Sequence, residues 1–565
     1  MRRLSFMALL LVGLTAMARQ LTPAEAVQRL TQRSQGRAVS SRMYHDMQLV
    51  HTLQDDENRF VYVMNVAGER GFYILSADDC APAVLGYSDH GTFSYEDAPE
   101  QLKWWLSQYS QAIKAAIDNG EVVQQTETRS SKPVGPLLTC SWNQDSPFNL
   151  LCTENGYQAP SGCVATAMAQ VMYHHRWPVQ GTASMSYSDD SSGKGVVISS
   201  EFYKHTYAWD AMLDNYDGES TDENDMAVAV LMKDCGVSVN MGYGRNSSGA
   251  PASVIPSSIC RFFGYSWAVR METRVFYTDA QWEALLYSEL AQNRPVIYAG
   301  HTVNDEGHCF VCDGYDGEGY FHFNWGWGGK GDGFYLVTGA GALQPNVVGI
   351  GGAEGAFSMG QFVITNIRKP EAGESAQSYE LLCASDGYQL TVLPDKSIQM
   401  DLTCYSGGTA TVPSTAMLAI NFENPDTVIT REISTLNVRL LPGASFQDTR
   451  TVSYNKPLPP GEYVVYPAYT TLYEEKTTKF GASIKTYYGF QHMPLPANYQ
   501  SAKIKVTDAE VTILSQGYVD TTPILAVRPN TQTSSSDALY NLQGQRVSLP
   551  TRGIYIHNGK KILVK

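Results

Sequence analysis

One cysteine opens a run of small residues at Ser161-Gly162-Cys163-Val164-Ala165-Thr166-Ala167-Met168-Ala169-Gln170. The alternating alanines favour helix and let another backbone approach closely. A thiol in the first turn of such a helix lies near the positive end of the helix dipole, which favours thiolate, the nucleophilic form. Covalent catalysis then needs a base. His308 begins a strand-like segment, Gly307-His308-Cys309-Phe310-Val311-Cys312-Asp313-Gly314-Tyr315. A third piece follows, Tyr320-Phe321-His322-Phe323-Asn324-Trp325-Gly326-Trp327-Gly328-Gly329. Asn324 is a neutral amide that can accept from an imidazole N–H, and Trp325 can shield that bond from water.

Cys, His and then Asn-Trp-Gly follow papain-like logic, in which the three groups need only be neighbours in space. Five segments in order, Pro136-Leu137-Leu138-Thr139, Gly162 to Met172, Asp234 to Met241, Gly307-His308 and Asn324 to Gly329, closely resemble the streptopain family of secreted bacterial cysteine proteases, its interpain-like members above all. The resemblance runs from about Gln20 to Arg368 and includes the propeptide. It implies Cys163 as nucleophile, His308 as general base and acid, Asn324 as orienter and Trp325 as shield. It also implies a preference for bulky apolar residues two positions before the cut. Ala299 departs from the glutamine or serine common at its place in the family, so only the Cys163 backbone N–H is named as an oxyanion donor.

Other motifs have plainer readings. His301 lies by a polar loop and reads as solvated or substrate-facing. His174 and His175 end the Cys163 helix, where the dipole suits them, and read as structural. His322 shares the Asn324 strand and is expected at most to support it. Gly326-x-Gly328-x-x-Gly331 spells a dinucleotide fingerprint but leads into a strand, so the required helix is missing. No HExxH, GxSxG or Walker A motif occurs. Cofactors and metals are not expected.

The 565 residues suggest three or four domains. A net charge of −15 argues against nucleic acid as a partner. Residues 1–18 read as a signal peptide: Arg2 and Arg3, an apolar Leu4–Leu14, then Ala16-Met17-Ala18. That apolar run is too short to cross a bilayer. Ten cysteines show no regular framework. Cys309 and Cys312 should face opposite sides of a strand, and with Cys235 and Cys260 read as buried thiols. Cys140 and Cys152 flank a loop where pairing stays open.

Residues 19–132 read as an α+β inhibitory propeptide. It has a helix from Pro23 capped by Thr22, a hairpin turning near Gly68, and an amphipathic helix Leu102–Ile117 bearing Trp104 and Trp105. Gln124–Lys132 is polar and suits activating cleavage. Residues 133–368 read as the papain-like catalytic domain, helices first and strands later, an α+β arrangement. Residues 378–512 alternate like an Ig-like β-sandwich. Residues 538–565 form short strand pairs with a basic end and closely resemble type IX secretion sorting signals of Bacteroidetes.

The expectation is a secreted or cell-surface zymogen cysteine endopeptidase. Its partners would be protein or peptide substrates, its own propeptide as inhibitor, and the outer-membrane secretion machinery. A binding protein without activity and a cysteine transferase are the alternatives.

Overall fold

The computed structural model describes residues 19–33, 46–120, 132–154, 157–189, 195–301, 307–338, 361–374, 380–407, 411–440, 444–452, 458–470, 473–477, 483–487, 489–495, 500–517, 539–540, 546–547, 553–557 and 560–564. The expected signal peptide and most of the expected cleavage segment lie outside them. The chain divides into two compact units, Met1–Val519 and Asp520–Lys565.

The N-terminal segment holds helix α1 (Pro23–Arg33), strands β1 (Met47–Gln54), β2 (Arg59–Val66), β3 (Phe72–Ser76) and β4 (Val84–Ser88), and helix α2 (Glu100–Asn119). Thr22 caps α1 in exchange with Glu25: each backbone N–H donates to the other's side chain, at 2.8 and 3.3 Å. Gly68, at φ 78°, makes the expected turn between β2 and β3.

The region that follows holds helices α3 (Cys163–His175), α4 (Asp222–Ser238), α5 (Ile255–Phe263) and α6 (Asp279–Leu290). Thr221 with Asn224, and Thr278 with Gln281, form capping boxes that fix where α4 and α6 start. Strands β5 (Arg270–Thr273), β6 (Val296–His301), β7 (Gly307–Tyr315), β8 (Tyr320–Asn324), β9 (Gly333–Leu336) and β10 (Phe362–Thr365) complete it. Most strands follow the helices, but β5 precedes α6, and short strands at Met185–Asp189 and Val196–Ser200 lie between α3 and α4.

The two regions share one antiparallel sheet of ten strands, in the order β1-β2-β3-β4-β9-β8-β7-β6-β10-β5. Its seam pairs Tyr87 with Phe334 and Gly86 with Tyr335. Gly86 is required there, because a Cβ would lie 2.6 Å from the Tyr335 ring. The Tyr109 hydroxyl on α2 spans the seam, 2.9 Å from Leu85 O and 2.7 Å from Leu336 O.

Strand alternation sorts the side chains into two cores. Ile297, Ala299, Cys309, Val311 and Ile364 join α3, α4 and α5 on one face. Tyr298, Phe310, Cys312, Phe323 and Trp325 join α2 and α6 on the other. Cys309 and Cys312 therefore face opposite sides, as their spacing requires. Cys140, Cys152, Cys235 and Cys260 are buried free thiols.

Beyond Arg368 the chain is β-rich. Strands β11 (Leu381–Val392), β12 (Ile398–Ser406) and β15 (Ser445–Val452) form one sheet. Strands β13 (Met417–Asn424), β14 (Thr427–Thr435), β16 (Gly461–Thr470), β17 (Ala502–Val506) and β18 (Val511–Ser515) form another, in the order β14-β13-β16-β17-β18. Leu390, Met400 and Leu402 of the first share a core with Ile420, Phe422 and Val465 of the second. The β-rich part is joined to the region of α3 to α6. Arg270 Nη2 donates to Glu380 at 2.5 Å, the Tyr405 hydroxyl donates to Thr273 at 2.9 Å, and Leu382 and Tyr405 enter the α3-side core.

In the second unit, Leu539–Tyr540, Arg546–Val547, Gly553–His557 and Lys560–Val564 form a four-stranded antiparallel sheet. No helix among the described residues is long and apolar enough to cross a membrane.

Candidate active site

Helix α3 starts at Cys163 because Gly162, at φ 87°, turns the chain into it. A Cβ on Gly162 would sit 2.8 Å from the Met241 sulfur and 3.1 Å from Ser248 O, so glycine is needed for space as well as for backbone angle. Every residue from Val164 to Tyr173 is buried, which the alanine-rich sequence permits. Cys163 lines a cleft of about 440 Å³ with Val164, Ser248, Pro251, Ala299, Gly300, His308 and Cys309.

The Cys163 thiol is pushed above its ordinary value. Burial is the largest cause, and the backbone N–H groups of Cys309, Val164 and Cys163 pull the other way. The N–H groups at the helix start act in the direction the sequence suggested, and burial outweighs them.

His308 opens β7 opposite Gly300 of β6. Its ring centroid lies 6.0 Å from that of Trp104 on α2, the planes tilted by 45°. Trp104 also covers Gly300: a Cβ there would meet its ring at 2.6 Å. Trp104 is buried, and among the described residues its indole N–H has no hydrogen-bond partner. Its neighbour Trp105 packs edge-on against Tyr298, Phe310 and Phe323. Trp327 Nε1 donates to the buried Gln101 of α2 at 2.8 Å. The N-terminal helix thus packs beside the site through Gln101, Trp104 and Trp105.

Asn324 ends β8 and pairs with Val311. Its Oδ1 accepts from Gln170 Nε2 at 2.8 Å and from the Gly326 N–H at 3.1 Å, and its Nδ2 donates to Cys140 O at 2.8 Å. Gln170 stands seven residues after Cys163, two helical turns on the same face. The sequence reading missed it, although that spacing was the available signal. Trp325 is fully buried; its indole N–H donates to Gly331 O at 3.0 Å and its backbone N–H to Asp332 Oδ1 at 2.9 Å. Its ring lies 4.5 Å from Phe310, two residues beyond His308.

Asp332 was not anticipated either. Burial raises its carboxyl to about 7, with His322 and the Trp325 N–H pulling down and Asp313 adding to the rise. His322 Nδ1 lies 2.6 Å from Asp313 Oδ1. Burial acts to lower the His322 value, but Asp313 and Asp332 raise it on balance. Asp313 Oδ2 also accepts from the Leu138 N–H at 3.0 Å. His322 therefore buttresses the β7–β8 pair through Asp313. His174 Nδ1 lies 3.0 Å from Leu137 O, and burial drives His175 down to about 3. Both are structural. The side chain of His301 and the loop after it lie outside the described residues. Gly326, Gly328, Gly329 and Gly331 all have positive φ and lead into β9, a strand, so the loop is not a nucleotide cradle.

The model of the Peptidase C10 family matches residues 142–335, and that of the Spi protease inhibitor matches residues 18–113. The thiol protease/hemagglutinin PrtT of Porphyromonas gingivalis is 33% identical over 347 residues, which are 58% of this chain and 39% of that protein. Streptopain of Streptococcus pyogenes is 33% identical over 326 residues, 54% of this chain and 80% of that protein. A solved prointerpain A fragment from Prevotella intermedia is similar at 32% identity and a TM-score of 0.49, over 57% of this chain and 99% of the fragment.

Proposed function

The chain belongs to the Peptidase C10 family and is a cysteine peptidase, and from that premise we propose that it is an exported endopeptidase made as a zymogen. The observation that carries the reading is the cleft shared by Cys163 and His308, with Trp104 of the N-terminal segment against the imidazole. That segment matches an inhibitor model. Its removal would take Trp104 off His308 and open the cleft to solvent and substrate.

In the activated enzyme His308 takes the Cys163 proton. The thiolate attacks the peptide carbonyl, and the Cys163 backbone N–H receives the developing oxyanion charge. His308 then protonates the leaving amine. A water molecule, deprotonated by the same imidazole, releases the acyl group and restores the thiol. Asn324 orients the site, held by Gln170 and Cys140 O, and Trp325 keeps water from its back. Val164, Ala299 and Pro251 line the cleft with small apolar surface, which suits an apolar side chain of a protein substrate.

Export through residues 1–18, and sorting by residues 538–565 to the outer-membrane machinery, complete the reading. The test is incubation of Gln20–Lys565 with casein under reducing conditions beside Cys163→Ala. The wild type should shed its N-terminal segment and digest casein, and the variant should do neither. Equal behaviour, even after the segment is cut off by another protease, overturns the reading.

A further inference from the structure

Strands β11 and β12 place Cys383 directly opposite Cys404. Whether two such cysteines can bond depends on which kind of antiparallel pair they form. The Cys383 N–H donates away from β12, to Pro494 O at 3.0 Å. One period along the ladder, the Ser406 N–H likewise turns away, to Ala444 O, and the next residue's N–H turns back, Gly407 to Glu380 O at 3.2 Å. Cys383 and Cys404 are therefore a pair whose amides point outward. In such pairs the Cα atoms are about 4.5 Å apart and the side chains lie closest. A disulfide needs a Cα separation of about 4.4–6.8 Å. Both are free thiols in this structure, fully buried and facing the same core between the two sheets.

We infer that Cys383 and Cys404 are joined by a cross-strand disulfide in the exported protein. The bond rests on the export reading for its oxidant, the disulfide of a thiol–disulfide oxidoreductase. The Cys383 and Cys404 sulfurs bond to each other and lose two electrons and two protons. The donor disulfide gains both and leaves as a dithiol. Burial pushes the Cys404 thiol up to about 12, so exchange proceeds while the chain folds rather than afterwards. The position gives the bond a purpose. Leu382 and Tyr405, the next residues on each strand, enter the catalytic-side core, and Glu380 takes Arg270. The disulfide fastens the two strands that dock the β-rich part. Once buried, it is also sheltered from the mild thiols that keep Cys163 reduced.

The test produces the full chain behind a foreign leader in an oxidising periplasm and, in parallel, in a reducing cytoplasm. Free thiols are trapped by alkylation under denaturant without reductant, and the peptides are mapped by mass spectrometry. The periplasmic protein should yield a peptide pair linked through Cys383 and Cys404, and should keep it under the mild reductant that supports casein digestion. Recovery of both cysteines alkylated, or of either linked elsewhere, overturns the inference. The foreign leader keeps this result separate from any failure of residues 1–18 to direct export, and casein digestion reports separately on the protease reading. The Cys383→Ser, Cys404→Ser double variant should melt several degrees below the oxidised protein and alongside the reduced one. A midpoint equal to that of the oxidised protein also counts against the bond.

Discussion

Trp104 stands against His308 with ring centroids 6.0 Å apart, and its indole fills the space beside Gly300 that any side chain would need. The N-terminal helix α2, which packs on the far face of the sheet, touches His308 and Gly300 through this side chain. Among the described residues its buried N–H has no partner, so the contact is held by shape and costs something in polarity, about 1–3 kcal/mol for an orphaned donor.

That balance predicts opposite results from two substitutions. Trp104→Ala removes the plug and about 3 kcal/mol or more of packing, and self-processing should speed up several-fold. Trp104→Phe keeps the ring without the orphaned N–H and should leave processing at or below the wild-type rate. A time course of N-terminal loss on gels decides. Equal rates for all three proteins would remove Trp104 from latency.

Cys163→Ala should lower casein hydrolysis by roughly a thousandfold or more while leaving the far-ultraviolet spectrum and melting point close to wild type. Alanine fits where the thiol was, and the Gly162 turn that starts the helix is untouched. Residual activity within tenfold of wild type would show that another group is the nucleophile.

Much of this site was legible beforehand because it is local. Gly162-Cys163 with the alanines that follow specifies a helix start, and His308 and Asn324 sit on segments with plain strand alternation. What escaped the sequence is what requires distant backbones to meet. Gln170 bonds Asn324 across 154 positions, and the β4–β9 seam joins strands far apart in the chain. The helix terminus at Cys163 is visible in sequence, but the burial that opposes its pull on the thiol comes from elements distant in the chain.

Gln170→Ala should loosen Asn324 without touching substrate. The expected effect is a fall in kcat of about tenfold with KM nearly unchanged, as for a group acting only in the transition state. Gln170→Glu removes the donor but keeps the volume and should fall similarly. A change confined to KM would place Gln170 in binding instead.

Asp332 predicts a pH dependence of stability. Its carboxyl titrates near 7 in the folded chain and near 4 in an unfolded one. Between these values the folded state holds a proton that the unfolded state has lost, so stability falls as pH rises, by at most about 1.4 kcal/mol per unit. His322, raised by its carboxylate neighbours, has the same sign: its contribution is present below its ordinary value and lost as pH rises. The full-length protein should melt higher at pH 5 than at pH 8. Asp332→Asn, which can still accept from the Trp325 N–H, should flatten the slope. An unchanged slope would assign the dependence to other groups.

The shared sheet separates cutting from release. A nick between α2 and the catalytic region leaves the β4–β9 seam, the Tyr109 hydroxyl and the Trp327–Gln101 bond intact, so the severed segment can stay seated as a bound fragment. Latency then becomes an affinity, and activity should depend on how far the enzyme is diluted after cleavage. When the segment leaves, β9 becomes a bare edge whose amides and carbonyls face solvent. Each activation thus exposes a new strand-binding surface that the enzyme did not present while dormant.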